Sequence, residues 1–474
     1  MFKENYFPGL YTDFYELTMS QAYFLTGGTQ KQVVFDLYFR KNPFGNGYTV
    51  FAGLEDAINA VLNFKFSESD LDYLKSLGFK NEFLDYLKTF KFEGNIYSFR
   101  EGDIVFANEP LIKVEGNIIE AQLLETLLLN YINYQTLIAT KTRRMYFAAK
   151  GKTVIDFGMR RAQGLAAIAG SRACYIGGAE GTSNTYAAKV YGIPAVGTHA
   201  HSWIQSFESE YEAFKTYADI YPDNTTLLVD TYDTLKAGIP NAIKIARYLE
   251  QKGHKLKAIR LDSGDLAYFS KKAREMLDKE NLNYVKIVVS NQLDEHIIDS
   301  LLDQQAPIDI FGVGTKLITS FSQPALDGVY KLAEIEGRPT LKFSENTEKI
   351  NLPGNKKVVR FINGDNKFFI DGVLLEEEDQ NKITLLRHPS IPFKKTEISD
   401  SLKTDKVFFK IIEKGKLTYK FPSLKEVREF SLKRFEQLPD EFKRFIHPHI
   451  YRVGISDKLY NLRHNLIERR MSFK

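Results

Sequence analysis

The chain has 474 residues, 43% of them hydrophobic and 26% charged, which excludes wholesale disorder and leaves room for two or three domains. Its single cysteine, Cys174, excludes an intrachain disulfide or a multi-cysteine zinc site and fits a reducing compartment. The formal charge of +4 divides into +9 from Ser401 to Lys474 and −5 over the rest, a balance that does not argue for nucleic acid as a partner.

In chain order, Met1 to Glu16 carries Glu4, Asp13 and Glu16 and has no apolar stretch of the kind a leader needs. A strand is expected over Gln32 to Phe39 and β structure over Asp103 to Val114, with helices beginning at Glu55 and Glu120. The most apolar stretch, Leu123 to Ala139, is broken by Glu125, Asn130, Asn133 and Gln135, far short of the ~20 apolar residues of a membrane span. A cytoplasmic protein without a membrane partner is expected.

The middle of the chain has a rhythm. Short Val- and Ile-rich runs start at Val154, Ala195, Leu227, Ala258, Lys286 and Ile308, each closing on polar residues or glycine. Amphipathic stretches such as Ala242 to Lys252 and Leu266 to Asp278 lie between them. Buried strands alternating with helices predict an α/β fold built on a parallel sheet, either a barrel or a doubly wound sheet. Further on, Val358 to Asn363 and Lys367 to Leu375 flank Gly364-Asp365-Asn366, a hairpin signal. The basic tail, with Lys425, Arg428, Lys433 and Arg434, reads as a solvated helix face.

Polar residues gather at the carboxyl ends of the predicted strands, the edge where parallel α/β architectures place their sites. They include Arg160 and Arg161, His199 and His201, Asp230 and Asp233, Arg260 with Asp262 and Asp265, then Ser290 and Asn291. This pattern points to an enzyme acting on an anionic substrate. Gly312-Val313-Gly314-Thr315-Lys316 is either a plain tight turn or a phosphate cradle to which Lys316 adds charge. His199 and His201 stand open between a zinc pair, satisfied core residues, and an acid/base or phosphoryl-accepting imidazole. Arg260 suits a carboxylate or phosphate, and the neighbouring carboxylates suit Mg²⁺ or ribose hydroxyls; a structural ion pair is the alternative.

Five strings occur in order: Thr12-Asp13-Phe14-Tyr15-Glu16-Leu17-Thr18-Met19, Asp156-Phe157-Gly158-Met159-Arg160-Arg161, Glu180-Gly181-Thr182-Ser183-Asn184, Gly197-Thr198-His199-Ala200-His201-Ser202-Trp203, and Leu261-Asp262-Ser263-Gly264-Asp265. With these the chain resembles the nicotinate phosphoribosyltransferases from Thr12 to about Leu332. The resemblance implies an irregular β/α barrel of the type II phosphoribosyltransferase kind, over about 141–340. An N-terminal α+β domain (1–140) and a C-terminal hairpin and basic helical region (341–474) would flank it.

It also implies ATP-dependent transfer of phosphoribosyl from 5-phosphoribosyl-1-pyrophosphate (PRPP) to nicotinate, with ATP as co-substrate, Mg²⁺, and a homodimer with shared active sites. His201 matches the transiently phosphorylated histidine, while His199 has no implied role. Nicotinate would lie between Phe157 and the partner subunit's Tyr15, with Arg260 on its carboxylate and Ser183 nearby. Arg160, Asp230, Asn291, Gly312, Gly314 and Thr315 would face PRPP and its phosphates, with Asp262 among the catalytic groups; no metal ligand is assigned.

Nicotinamide phosphoribosyltransferases are the nearest competing reading. They carry an aspartate where this chain has Ser183, and its absence removes a repulsion against the acid substrate. Quinolinate phosphoribosyltransferases are shorter and lack the histidine. Gln292 departs from the acidic residue that relatives often carry. A sugar-phosphate lyase or isomerase lacks a well-placed strand lysine here, and a non-catalytic metabolite sensor would have no need of His201.

Overall fold

A computed structural model describes residues 9–342, 351–391 and 393–471. Residues 1–8, 343–350, 392 and 472–474, which fall within the expected flanking domains, lie outside the described residues. The chain divides into two compact units, one of 1–137 with 325–474 and one of 138–324.

The second unit is built on six parallel strands: β1 (Thr153–Asp156), β2 (Gly181–Thr182), β3 (Thr226–Leu228), β4 (Ala258–Leu261), β5 (Lys286–Ser290) and β6 (Ile310–Val313). Their spatial order is β2-β1-β6-β5-β4-β3. Each is a run of two to five residues, and Val154, Leu227, Ile259, Ile287, Val289 and Phe311 are fully buried. Apolar residues in consecutive positions suit a strand covered on both faces, so these segments show no alternation.

Helices Ile239–Gln251, Leu266–Lys279 and Glu295–Asp303 return the chain between strands. In the first, Ala242, Ile245, Ala246 and Leu249 form the buried stripe expected at a 3.6-residue period. Asp265 and Asp294 cap the other two by accepting from backbone N–H groups two or three residues on. Asp265, grouped with Arg260 as a chemical residue in the sequence, is therefore a helix cap.

One expected strand is replaced. The run from Ala195 makes only a single bridge, Thr182 to Ala195, while Gly181–Thr182 takes the place beside β1. Pro194 precedes the run and Gly197 interrupts it, which leaves too few residues to extend a ladder. The sheet nevertheless curls into a half-barrel, and His199 is bonded to its edge: the Leu228 N–H donates to His199 Nε2 at 3.3 Å. That amide lies on the edge strand β3.

The first unit holds a seven-stranded antiparallel sheet and a six-stranded mixed sheet. The expected strand Gln32–Phe39 is present, and so is the hairpin, as Lys356–Ile362 against Phe368–Leu375. The β segment expected from Asp103 to Val114 breaks into Ile104–Val105 and Ile112–Asn117, because Asn108 turns at φ +70° and Pro110 cannot donate to a ladder. Arg434 departs from the expected solvated face. It is buried, 2.8 Å from Asp103 and 2.7 Å from Asp405, beside an Arg360 that also binds Asp103 and Asp371. No described helix is long and apolar enough to cross a membrane.

Candidate active site

The carboxyl ends of the strands gather the candidate residues of the second unit. At the end of β1, Asp156 is fully buried and accepts from the Gly158 N–H at 2.8 Å, Ser171 Oγ at 2.8 Å and Thr182 Oγ1 at 2.7 Å. Burial pushes its carboxyl above the usual range, against those three donors. Asp156 thereby fixes the loop carrying Phe157, Met159 and Arg160, and its carbonyl accepts from the Ser183 N–H at 2.8 Å. Ser183 and Arg160 are both exposed on this edge.

Phe157 is positioned by a missing carbon. Its N–H donates to the Val313 carbonyl at 2.7 Å. Its ring lies over Gly312, where a Cβ would approach ring atoms to 2.6 Å. The glycine-rich turn thus serves first as the floor of an aromatic wall. Lys316, which would add charge to a phosphate cradle, is engaged elsewhere, its ammonium 2.6 Å from Asp294 Oδ2. Gly314 and Thr315 follow β6 on the turn itself, Gly314 preceding the short helix Thr315–Ile318.

Arg260, projecting from β4, faces that wall with its guanidinium carbon 5.3 Å from the Phe157 ring centre. Three hydrogen bonds hold it: Nε donates to Ser290 Oγ at 2.9 Å, Nη1 to Thr198 Oγ1 at 3.0 Å, and Nη2 to Asp262 Oδ1 at 3.2 Å. Its side chain is only 15% exposed. A guanidinium has five N–H groups, so two remain for a ligand. The Ser290 hydroxyl donates in turn to Asp262 Oδ1.

Asp230 is a second organiser, since its Oδ2 accepts from the Asp262 N–H and from Ser263 Oγ, both at 2.7 Å. Its Oδ1 is buried without a hydrogen-bond partner among the described residues. Asn291 follows β5 at φ +92° with Gln292 at φ +47°, a turn that exposes Asn291 at the same edge.

His201 opens the short helix His201–Gln205, with Nδ1 3.0 Å from Thr231 Oγ1 and Nε2 4.0 Å from Asp262 Oδ2. Its ring is 41% exposed and reachable. His199 differs in every respect. It is buried against Tyr217 and Phe214 and accepts the Leu228 N–H. Burial, with Arg260 and His201 as nearby like charges, pushes its pKa down to about 4. A neutral structural imidazole answers the question that the His-x-His spacing left open.

Among the described residues no group of three or more His, Cys, Asp or Glu side chains is arranged to hold a metal ion. Asp230 and Asp262 are carboxylates of the kind that bind Mg²⁺ jointly with substrate phosphates, and the orphaned Asp230 Oδ1 fits such a role.

Tyr15 lies in the other unit, on the helix Phe14–Leu25, and is 45% exposed. Burial and the adjacent Glu125 and Glu16 raise its pKa. Burial also lifts Glu16 to about 7 despite bonds from Thr12 and Thr126. The same unit contains a cationic cavity of about 280 Å³ that the sequence did not reveal, lined by Arg40, Lys41, Lys356 and Arg463 with Asp36 as its carboxylate. These residues are up to 427 positions apart and share no motif.

Residues 153–378 match the nicotinate phosphoribosyltransferase (NAPRTase) family, residues 10–133 its N-terminal domain and residues 355–463 its C-terminal domain. A nicotinate phosphoribosyltransferase of Bacillus subtilis is 46% identical over 461 residues, covering 95% of this chain and 94% of its own. One from Caenorhabditis elegans is 36% identical, covering 96% and 93%. The crystal structure of human nicotinic acid phosphoribosyltransferase superposes with a TM-score of 0.86 at 27% identity, covering 96% of this chain and 99% of that one.

Proposed function

The chain belongs to the nicotinate phosphoribosyltransferase family and is an enzyme, and from that premise we propose that it transfers phosphoribosyl from PRPP to nicotinate, with ATP spent through a phosphohistidine at His201. The observation that carries the substrate reading is Arg260 against the Phe157 ring. A planar anionic ring needs an aromatic face and a guanidinium at its edge, and both are held by the strand ends rather than by mobile loops. In a homodimer with shared sites, Tyr15 of the partner subunit supplies the second face.

The chemistry follows from charge. The pyridine nitrogen attacks C1 of PRPP as the C1–O bond to pyrophosphate breaks, so positive charge grows at C1 and negative charge on the leaving group. Asp230 or Asp262 would hold a Mg²⁺ arriving with the substrate phosphates, and the ion would supply positive charge against the leaving group. Arg160, Asn291, Gly314 and Thr315 line the edge for the phosphates, with the Gly312 backbone beneath. Nicotinamide would place an N–H where Arg260 already donates, and Ser183 offers no carboxylate to receive it.

At His201 the Asp262 carboxylate can only accept, which favours the ring proton on Nε2. The Thr231 hydroxyl can donate to Nδ1, which makes Nδ1 the nitrogen with the lone pair, and rotation of that hydroxyl away frees it as the nucleophile. Nδ1 attacks the terminal phosphorus of ATP, the bond to the bridging oxygen breaks, and ADP leaves. Water later cleaves the N–P bond, releasing phosphate. The product assay that tests this gives the enzyme PRPP with nicotinate or nicotinamide, each with and without ATP. Nicotinate mononucleotide made faster with ATP is the expected result; preferential nicotinamide turnover overturns the reading.

A further inference from the structure

Ser290 ties the arginine that faces the aromatic wall to the histidine proposed to carry phosphate. Its hydroxyl is buried, and its direction is fixed without sight of the hydrogen. Arg260 Nε can only donate, so Ser290 Oγ accepts at 2.9 Å, and its own proton goes to Asp262 Oδ1. Asp262 Oδ1 therefore receives two donors, Ser290 Oγ and Arg260 Nη2. Oδ2 remains, 4.0 Å from His201 Nε2. Strand pairing sets this register, since β5 lies directly beside β4 with Val288 opposite Arg260.

We propose that Ser290 is a positioning residue that couples occupancy at Arg260 to the phosphorylation state of His201, through the Asp262 carboxylate. The inference rests on the reading of Arg260 and His201 given above. A nicotinate carboxylate draws on the two free guanidinium N–H groups. Any shift of the guanidinium is passed to Asp262 by two bonds, of which the Ser290 hydroxyl supplies the one not made by Arg260 itself. Asp262 Oδ2, 4.0 Å away, then moves relative to Nε2, changing the electrostatic pull of the carboxylate on that N–H and hence how nucleophilic Nδ1 is. Without the hydroxyl, Arg260 keeps a single bond to Asp262 and Nε loses its acceptor.

The test measures phosphate release from ATP with and without nicotinate in the intact enzyme, in Ser290→Ala, in Ser290→Thr and in His201→Ala. In the wild type, nicotinate changes the His201-dependent rate several-fold. Ser290→Ala loses that response, and its KM for nicotinate rises by about tenfold, the size of one hydrogen bond to a charged group. Ser290→Thr restores both. A Ser290→Ala enzyme with a wild-type nicotinate response overturns the coupling, as does one in which every rate falls equally. Phosphate release that is unchanged in His201→Ala defeats the phosphohistidine reading and the coupling with it. A His201-dependent rate that ignores nicotinate in the wild type defeats the coupling alone.

Discussion

His199 gives the second unit a built-in acid sensitivity whose size can be worked out. Its folded pKa is about 4 against an ordinary 6.5. Between those values the unfolded chain binds a proton that the folded chain refuses, so stability is complete above about pH 6.5 and falls as the pH drops toward 4. Below the folded value both states are protonated and the loss levels off. Integrated from pH 7 to pH 5, this single residue removes about 2 kcal/mol.

Comparison with His199→Gln isolates that term from all the other carboxylates and histidines. Trp203 is the sole tryptophan and lies in the same aromatic cluster, 6.1 Å from Tyr217, which in turn packs on His199. Urea unfolding followed by tryptophan fluorescence therefore reports this unit specifically. The wild type should exceed the variant in stability at pH 7, and the gap should narrow by about 2 kcal/mol at pH 5. A gap that stays constant to within about 0.5 kcal/mol refutes the assignment of His199 as a neutral buried residue.

Other expectations concern the site. His201→Ala should abolish the ATP dependence of nicotinate mononucleotide formation while leaving urea unfolding within about 0.5 kcal/mol of the wild type, since the ring is partly exposed. Arg260→Ala should raise the KM for nicotinate at least about thirtyfold, and far more than that for PRPP, in steady-state kinetics; an equal rise in both removes its carboxylate role. Gly312→Ala should weaken nicotinate more than PRPP, because the added methyl meets the Phe157 ring. Lys316→Met should leave the KM for PRPP within about twofold, its ammonium being engaged by Asp294.

The strand ends were legible because each β segment is a short run of apolar residues closed by a polar one, and that pattern has few other uses. Five of the six predicted runs lie in the sheet. The sixth misled because a two-residue strand such as Gly181–Thr182 has no period to detect, whereas Ala195-Val196 looks like one. The charged candidates were legible by type and position, and Phe157, Arg260, Asp262 and His201 share one edge. The hydroxyls that orient them were not. Thr198, Thr231 and Ser290 are single small residues whose meaning depends on a partner 30 to 62 positions away. The partner of Lys316 was hidden for the same reason, its charge being engaged by Asp294 on another loop.

The contact between Phe157 and Gly312 has a further bearing. One hydrogen atom at position 312 sets how closely the Phe157 ring lies on the strand, and the peptide that carries it also begins the glycine turn proposed for the phosphates. On the proposed reading, ring recognition and phosphate recognition would therefore share a single backbone segment and could not be tuned separately there. If the proposed stacking holds, a variant with a wider taste in pyridine rings would have to be sought at Tyr15, which belongs to a different part of the chain.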